Sequence, residues 1–253
     1  MSGKMKKSLL LSFVAILMFA SVAFAADYSS RTVTFNGYSN NHTYTSANFV
    51  SDYGNTDYYV VNQATISNGQ LKLKLPANEE NVGLKARITV PQKASYYAEI
   101  KFRVPSGFPF GNANDMKIPL GFGGGTNPVG GNPDPDNGWS VRLFKNTDGK
   151  LGLYAYHANQ SSIWGDKWMT DVTFQANTWY TARLWMKVNN SNTNNGEVKL
   201  WINGTQKINK TGIRWSNNNK NITKIHSDLF RGGAGDPPGS DAYFYIDEFK
   251  WWY

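Results

Sequence analysis

Apolar and polar residues alternate in short runs along most of this chain. Leu71, Leu73 and Leu75 are separated by Lys72 and Lys74. Ala98, Ile100, Phe102 and Val104 are separated by Glu99, Lys101 and Arg103, and Val198, Leu200 and Ile202 enclose Lys199 and Trp201. A period of two is the signature of a β-strand with one buried face. Turn dipeptides punctuate the runs: Asn68-Gly69, Asp148-Gly149, Asn195-Gly196 and Asn203-Gly204. No long amphipathic helix is apparent after residue 26. Many short strands at this spacing predict an all-β antiparallel sandwich, a jelly roll with a concave face for a ligand. The last strand is expected over 243–252, closing the sheet beside the N-terminal strand, with Trp251 and Trp252 at the sheet edge. The Gly-, Pro- and Asn-rich stretch 121–138 reads as a long loop, and the Asn-rich runs 189–195 and 217–221 as surface loops.

The first 25 residues differ in kind. Lys4, Lys6 and Lys7 precede an apolar run over 9–20, and Ala23-Phe24-Ala25 supplies a small-x-small cleavage pattern. We expect a signal peptide over 1–25, one sandwich domain over 26–253, and secretion of a monomer with no membrane span in its mature form. Removing those three lysines takes the formal charge from +8 to +5. A mild basic excess favours anionic partners. No Lys/Arg run or nucleic-acid motif appears, so an acidic glycan is expected and nucleic acid is not. There are no cysteines, so the core alone must hold the fold. The chain carries 9 Trp, 14 Tyr and 14 Phe. Several of these, among them Tyr154, Tyr156 and Trp201, sit on the polar side of their strands. Flat rings among polar side chains suit a saccharide groove.

One segment gathers chemistry. Gly138-Trp139-Ser140-Val141-Arg142-Leu143 and Leu151-Gly152-Leu153-Tyr154-Ala155-Tyr156 flank Asn146-Thr147-Asp148-Gly149-Lys150. A three-residue loop over 147–149 would put Gly149 in the left-handed conformation and pair Asn146 with Lys150. Arg142 then lies opposite Tyr154 and Ser140 opposite Tyr156. All four side chains share one face, with Val141, Leu143, Leu153 and Ala155 on the other. A slip of one residue would scatter them. β-Elimination from a uronic acid needs a cation to neutralise the C5 carboxylate, a base for the C5 proton, and an acid for the leaving glycosidic oxygen. Arg or Lys can do the first. Tyr, Lys or His can do the others. The same cross-strand Arg–Tyr pairs also serve as ordinary sheet contacts.

The wider region resembles polysaccharide lyase family 14, whose members include alginate and glucuronan lyases. The resemblance covers about 115–250. It rests on Lys117-Ile118-Pro119-Leu120 and the glycines after it, on Gly138-Trp139-Ser140-Val141-Arg142, on Tyr154-Ala155-Tyr156-His157, and on Trp164-Gly165-Asp166. Phe230-Arg231-Gly232-Gly233 and Asp241-Ala242-Tyr243-Phe244-Tyr245-Ile246-Asp247-Glu248-Phe249 extend it. It implies a lyase whose functional set is Lys117, Ser140, Arg142, Tyr154 and Tyr156. Lys117 and Arg142 would neutralise the carboxylate, the two tyrosines would supply base and acid, and Ser140 would orient the carboxylate or a tyrosine hydroxyl. An alternative makes Lys117 the base. Trp139, His157, Trp201, Arg214 and Arg231 are expected to contact substrate. Trp215 is a further groove candidate, and His157 is expected to be structural or at the rim, turned away from the tyrosines. The family commonly has Lys-Leu-Pro-Gly-Leu where this chain has Lys-Ile-Pro-Leu-Gly-Phe, and Arg231 replaces an uncharged residue.

No cofactor is required, and no catalytic metal is expected. Asp134 with Asp136, or Asp241 with Asp247, could hold a structural Ca2+, although turn-forming roles are favoured. His42 and His226 read as isolated surface or loop histidines. A sandwich glycoside hydrolase needs paired carboxylates on one face. Asp247 and Glu248 are adjacent and should face opposite ways. The serious alternative is a non-catalytic carbohydrate-binding module of the same fold.

Overall fold

The computed structural model describes residues 30–61, 63–77, 84–109, 116–126, 134, 136–231 and 240–253; the side chains of 57–59 and 231 lie outside the description. The expected leader and most of the loop 126–137 therefore fall outside the described residues. Sixteen strands and one helix follow in order. They are β1 (Ser30–Thr34), α1 (Ser46–Tyr53), β2 (Thr56–Val61), β3 (Ala64–Ser67), β4 (Gln70–Leu75), β5 (Leu84–Lys93), β6 (Ser95–Arg103) and β7 (Met116–Gly125). Then come β8 (Gly138–Lys145), β9 (Lys150–Tyr156), β10 (Asp166–Thr173), β11 (Tyr180–Lys187), β12 (Gly196–Ile202), β13 (Thr205–Ile213), β14 (Ile222–His226), β15 (Phe230–Arg231) and β16 (Ala242–Trp252).

They form two antiparallel sheets. The front sheet runs β10-β9-β8-β7-β14-β5-β2, with β15 also on β7. The back sheet runs β13-β12-β11-β6-β16-β4-β3, with β1 also on β16. The core lies between them. Leu84, Ala86, Ile88, Phe122, Val141, Leu143, Leu153 and Ala155 face inward from the front sheet. Leu71, Leu73, Ala98, Ile100, Phe102, Leu184, Leu200 and Phe244 meet them from the back. Burying each such side chain is worth about 1.5–3 kcal/mol, and dozens of them stand in for disulfides. The sandwich is the fold that the alternation predicted.

The turns follow the local chemistry. Asn68-Gly69 and Asn203-Gly204 have positive φ at both residues and close two-residue hairpins between β3 and β4 and between β12 and β13. Two prolines within the front sheet sit at register shifts, where a missing N–H does least harm. Pro91 lies in the shift between β5 and β14, and Pro119 in the one between β7 and β8.

Three expectations are corrected. Gly121, Gly123 and Gly124 continue β7 instead of opening a loop. They are glycine because neighbours lie against the strand: a Cβ on Gly124 would come within 2.6 Å of Trp139 Nε1, and one on Gly123 within 2.4 Å of His226 Nε2. Trp251 is not an edge residue. β16 is a central strand, Trp251 is fully buried, and Trp252 stacks on Tyr97 on the outer face at 5.1 Å. Asp247 and Glu248 do not diverge, because the register shifts between Ile246 and Glu248. Each reaches an outer-face lysine, Asp247 bonding Lys101 at 2.7 Å and Glu248 bonding Lys250 at 3.0 Å.

Candidate active site

The site is built on the β8–β9 hairpin. The Asn146 N–H donates to the Lys150 carbonyl at 3.0 Å, and the Lys150 N–H donates to Asn146 Oδ1 at 2.8 Å. Gly149 takes φ +77°, which a side chain would resist. This turn sets Arg142 opposite Tyr154 and Ser140 opposite Tyr156. The four side chains share the outer face of the front sheet, as the expected loop length required.

Lys117 joins them from β7. The pairing passes from Lys117 with Phe144 to Gly121 with Arg142. Four steps on β7 match two on β8, so parity survives the shift and Lys117 faces the same way as Gly121. Its Nζ stands 4.0 Å from the Tyr154 ring centroid and 5.5 Å from that of Phe144. On the other side Lys167, opposite Tyr154 on β10, brings its Nζ to 5.6 Å from the same ring.

The Tyr154 and Tyr156 hydroxyls are 2.6 Å apart. Tyr154 also bonds the main-chain carbonyl of Trp164. A carbonyl only accepts, so Tyr154 donates to it and Tyr156 donates to Tyr154. The result is one hydrogen-bond chain ending on a fixed acceptor.

Arg142 is held from three sides. Its Nε donates to Asp228 Oδ2 at 2.9 Å and its Nη1 to Ser140 Oγ at 3.3 Å, while its Nη2 lies 3.4 Å from His226 Nδ1. Asp228 Oδ1 also accepts the Ala86 N–H at 3.0 Å. All four of these side chains are buried. Burial, then the Arg142 guanidinium, pushes the His226 imidazole down to about 4, so it is neutral at neutral pH. Burial alone would raise the Asp228 carboxyl, but Arg142 and His226 hold it well below the usual carboxylate range.

His226 is thus corrected from an isolated surface histidine to a buried neighbour of Arg142. Neither His226 nor Asp228 stood out in the sequence. The available signal was Lys224, His226 and Asp228 alternating with Ile225 and Leu229, the strand pattern read elsewhere. Proline explains the break between β14 and β15. Residues 226 and 230 pair with 121 and 117, so Asp228 faces Pro119, which has no N–H to offer.

The outer ring of expected substrate contacts is largely corrected. Trp139 is fully buried on the core side of β8, with its indole N–H donating to the Lys220 carbonyl at 2.6 Å. Trp215 is buried beside it at 5.4 Å. His157 is a structural residue: it bridges Asn159 Oδ1 and Asp166 Oδ2, each at 2.9 Å, and packs on Trp168 and Trp215. Burial pushes its imidazole below the ordinary value. Trp201 belongs to the back sheet, opposite Arg183. Arg214 ties loops together through Asn192 and Asn159. Arg231 pairs with Met116 through its backbone, and its side chain lies outside the described residues. His42 meets Asn48 near α1 at 3.2 Å. The aspartates considered for Ca2+ have other partners. Asp134 caps the turn at Asn137, Asp136 accepts from Asn217, and Asp241 pairs with Lys74.

Comparison with known proteins bears on this geometry. The family model for Polysaccharide lyase 14 matches residues 56–245. No curated protein matches the chain. Among solved structures, the alginate lyase Aly36B is 27% identical with a TM-score of 0.79, covering 89% of this chain and 97% of its own. Variants of that enzyme have been solved with an alginate trisaccharide and an alginate tetrasaccharide. The PL-14 alginate lyase from Aplysia kurodai is 18% identical with a TM-score of 0.73, covering 87% of this chain and 97% of its own. The endo-β-1,4-glucuronan lyase from Trichoderma reesei is 13% identical with a TM-score of 0.54, covering 85% and 94%. The last two likenesses are of fold alone.

Proposed function

The chain belongs to polysaccharide lyase family 14 and is a polysaccharide lyase, and from that premise we propose that it is secreted and cleaves a uronic-acid polymer of the alginate or glucuronan type by β-elimination. The observation that carries this reading is the single face shared by Lys117, Arg142, Ser140, Tyr154 and Tyr156. The tyrosine hydroxyls are 2.6 Å apart, and the Lys117 ammonium stands 4.0 Å over the Tyr154 ring. Alginate in complexes of a 27–26% identical lyase favours a polyuronate as substrate.

In this mechanism Lys117 and Arg142 meet the C5 carboxylate and offset the charge that builds as the C5 proton leaves. Asp228, His226 and Ser140 pre-orient the Arg142 fork, so no reorganisation is needed during the reaction. To act as the base, the tyrosine pair must first give up one proton. It takes the C5 proton, the C4–oxygen bond breaks, a C4=C5 double bond forms, and the same pair returns a proton to the leaving oxygen. No water is consumed. The pair works as one proton site because its oxygens share a short hydrogen bond, and the Trp164 carbonyl keeps Tyr154 aligned.

The test is the ultraviolet absorbance of the unsaturated C4=C5 end during incubation with polymannuronate, polyguluronate and glucuronan. Absorbance should rise on at least one of them. Tyr154→Phe and Tyr156→Phe should each lose about 10²- to 10⁴-fold in rate while still retarded in a gel containing that polymer. Full activity in either variant removes that tyrosine from the mechanism. Retardation by a polymer with no absorbance change in the unaltered protein would favour the binding-module reading instead.

A further inference from the structure

The turn between β9 and β10 carries a side chain that the mechanism leaves unused. Trp164 is 61% exposed, the largest exposure among the large hydrophobic residues described. Water is a poor environment for an indole, and the other described tryptophans are buried or half-buried. Yet the turn is not loose. Ser161 donates through both its N–H and its hydroxyl to Asp166 Oδ1, at 3.0 and 2.6 Å. The Trp164 N–H donates to Ser162 Oγ at 3.1 Å, and the Gly165 N–H to the Ser162 carbonyl at 2.9 Å. Gly165 has φ +82°, and a Cβ there would lie 2.6 Å from the Ala155 carbonyl and 3.2 Å from the Tyr156 ring. The chain is therefore clamped onto the tyrosine strand, and its Trp164 carbonyl holds the Tyr154 hydroxyl. The exposed indole is thus carried on main chain that is fixed against the reacting pair. Three residues on, at the start of β10, Lys167 is exposed on the reactive face opposite Tyr154, and Met169 follows it, also exposed.

We propose that Trp164 and Lys167 form a subsite for the sugar unit next to the bond that is cleaved, with the indole stacking on the pyranose and the ammonium meeting its carboxylate. The proposal rests on the polyuronate reading of the tyrosine face. An aromatic plane with an adjacent cation selects an acidic sugar over a neutral one, because the ring alone would take either. The subsite lies on the β10 side of the tyrosines. A chain seated there must cross the strands towards β8 and β7, bringing its next unit over Arg142 and Lys117.

Truncating Trp164 removes the indole but keeps the main-chain carbonyl that holds Tyr154. That separates binding from chemistry. In gels containing polymannuronate or polyguluronate, Trp164→Ala should bind roughly threefold to tenfold more weakly than the unaltered protein, and Trp164→Phe should recover most of the loss. Lys167→Gln should weaken binding similarly, and more at low salt than at high. In turnover assays both should raise KM with little change in kcat. Trp201→Ala, on the back sheet, should change neither. Unchanged retardation for both Trp164→Ala and Lys167→Gln overturns the subsite, as does failure of every polymer to retard the unaltered protein. A flat absorbance trace with normal retardation would instead sink the lyase mechanism and leave the subsite standing.

Discussion

The outer faces of the two sheets have much the same raw materials and use them differently. On the back sheet every strongly placed cation meets an acid or a ring. Lys101 bonds Asp247 and Lys74 bonds Asp241, each at 2.7 Å, and Glu99 receives both Arg183 at 2.6 Å and Lys250 at 2.8 Å. Arg103 lies 4.2 Å over the Tyr245 ring, and Lys72 the same distance over Tyr243. On the front sheet Lys85, Arg87, Lys117, Arg142, Lys167 and Lys224 share a face with two described carboxylates: Asp228, buried under Arg142, and the exposed Asp171 on β10, which bonds Lys207 of the back sheet. The back face neutralises itself. The front face keeps an excess of positive charge around two tyrosines, which suits a polyanion and little else. Composition and net charge could not distinguish the two faces, because the distinction lies in how many acids the fold places on each.

The most direct way to break the contrast is to remove the buried acid. Asp228→Ala leaves Arg142 buried at 8% side-chain exposure without its counter-ion. We expect a loss of about 3–5 kcal/mol in urea unfolding. We also expect turnover to fall with it, because the guanidinium loses its anchor. Asp228→Asn keeps the shape and should lose less stability. If Asp228→Ala unfolds like the unaltered protein, Arg142 is not held as described.

The same cluster gives the front face a pH dependence that starts above the carboxylate range, whereas the lowered back-face carboxyls Glu99 and Asp241 act at more acid pH. The unfolded chain takes a proton on this imidazole near 6.5, and the folded chain near 4. Between those values the unfolded state binds more protons, so stability falls as pH drops from 6.5 to 4 and is regained as pH rises. The gap corresponds to about 3 kcal/mol. Arg142, Asp228 and Arg87 are the charged groups that face His226. Asp228 adds a loss of the same sign at still lower pH, since its folded value is depressed. His226→Gln should flatten the slope between pH 4 and 6.5, leaving the part due to His157, whose value is also lowered. Urea unfolding across that range measures it. A slope unchanged in His226→Gln would place the titration elsewhere.

A smaller probe is Gly123→Ala. The added methyl would fall 2.4 Å from His226 Nε2 in a closely packed face. We expect about 1–3 kcal/mol of destabilisation and reduced turnover. Gly204→Ala, at a turn with nothing within 4 Å, carries only the strain of its φ of +79° and should leave turnover alone.

The contrast between the faces also marks what could be read from the residues alone. The β8–β9 register was legible because three local facts agreed: an alternating pattern, Asn146 and Gly149 at the turn, and apolar residues that had to share the opposite face. The buried support of Arg142 was not. Asp228 and His226 are far from Arg142 in the chain, and β14 is short and interrupted opposite Pro119. Trp139 and His157 misled for a related reason. Polar-capable aromatics look like ligands for sugar, yet here their ring nitrogens already have partners in Lys220, Asn159 and Asp166 inside the fold. The helix α1 was missed although Thr45 and Asn48 form a capping box and Phe49 and Tyr53 stand four apart. At eight residues it has too few turns to show a period.

The finest test removes one positive charge from each face. Lys101 and Asp247 form an exposed pair, with side chains 45% and 32% accessible. Solvent screens such a pair, so Lys101→Ala should cost less than about 1 kcal/mol and leave KM unchanged. Lys224 is on β14 of the front sheet, two residues before His226 and on the same side. The substitution Lys224→Ala should raise KM for the polyuronate at low ionic strength. Adding salt should shrink the difference, because a Debye length of about 10 Å at 0.1 M no longer spans the face. The net charge of the two variants is identical, so any difference in KM between them reads where the charge sits. Equal KM values at low salt would mean that the polymer senses only the total charge, and that the cation-rich front face is not what draws it in.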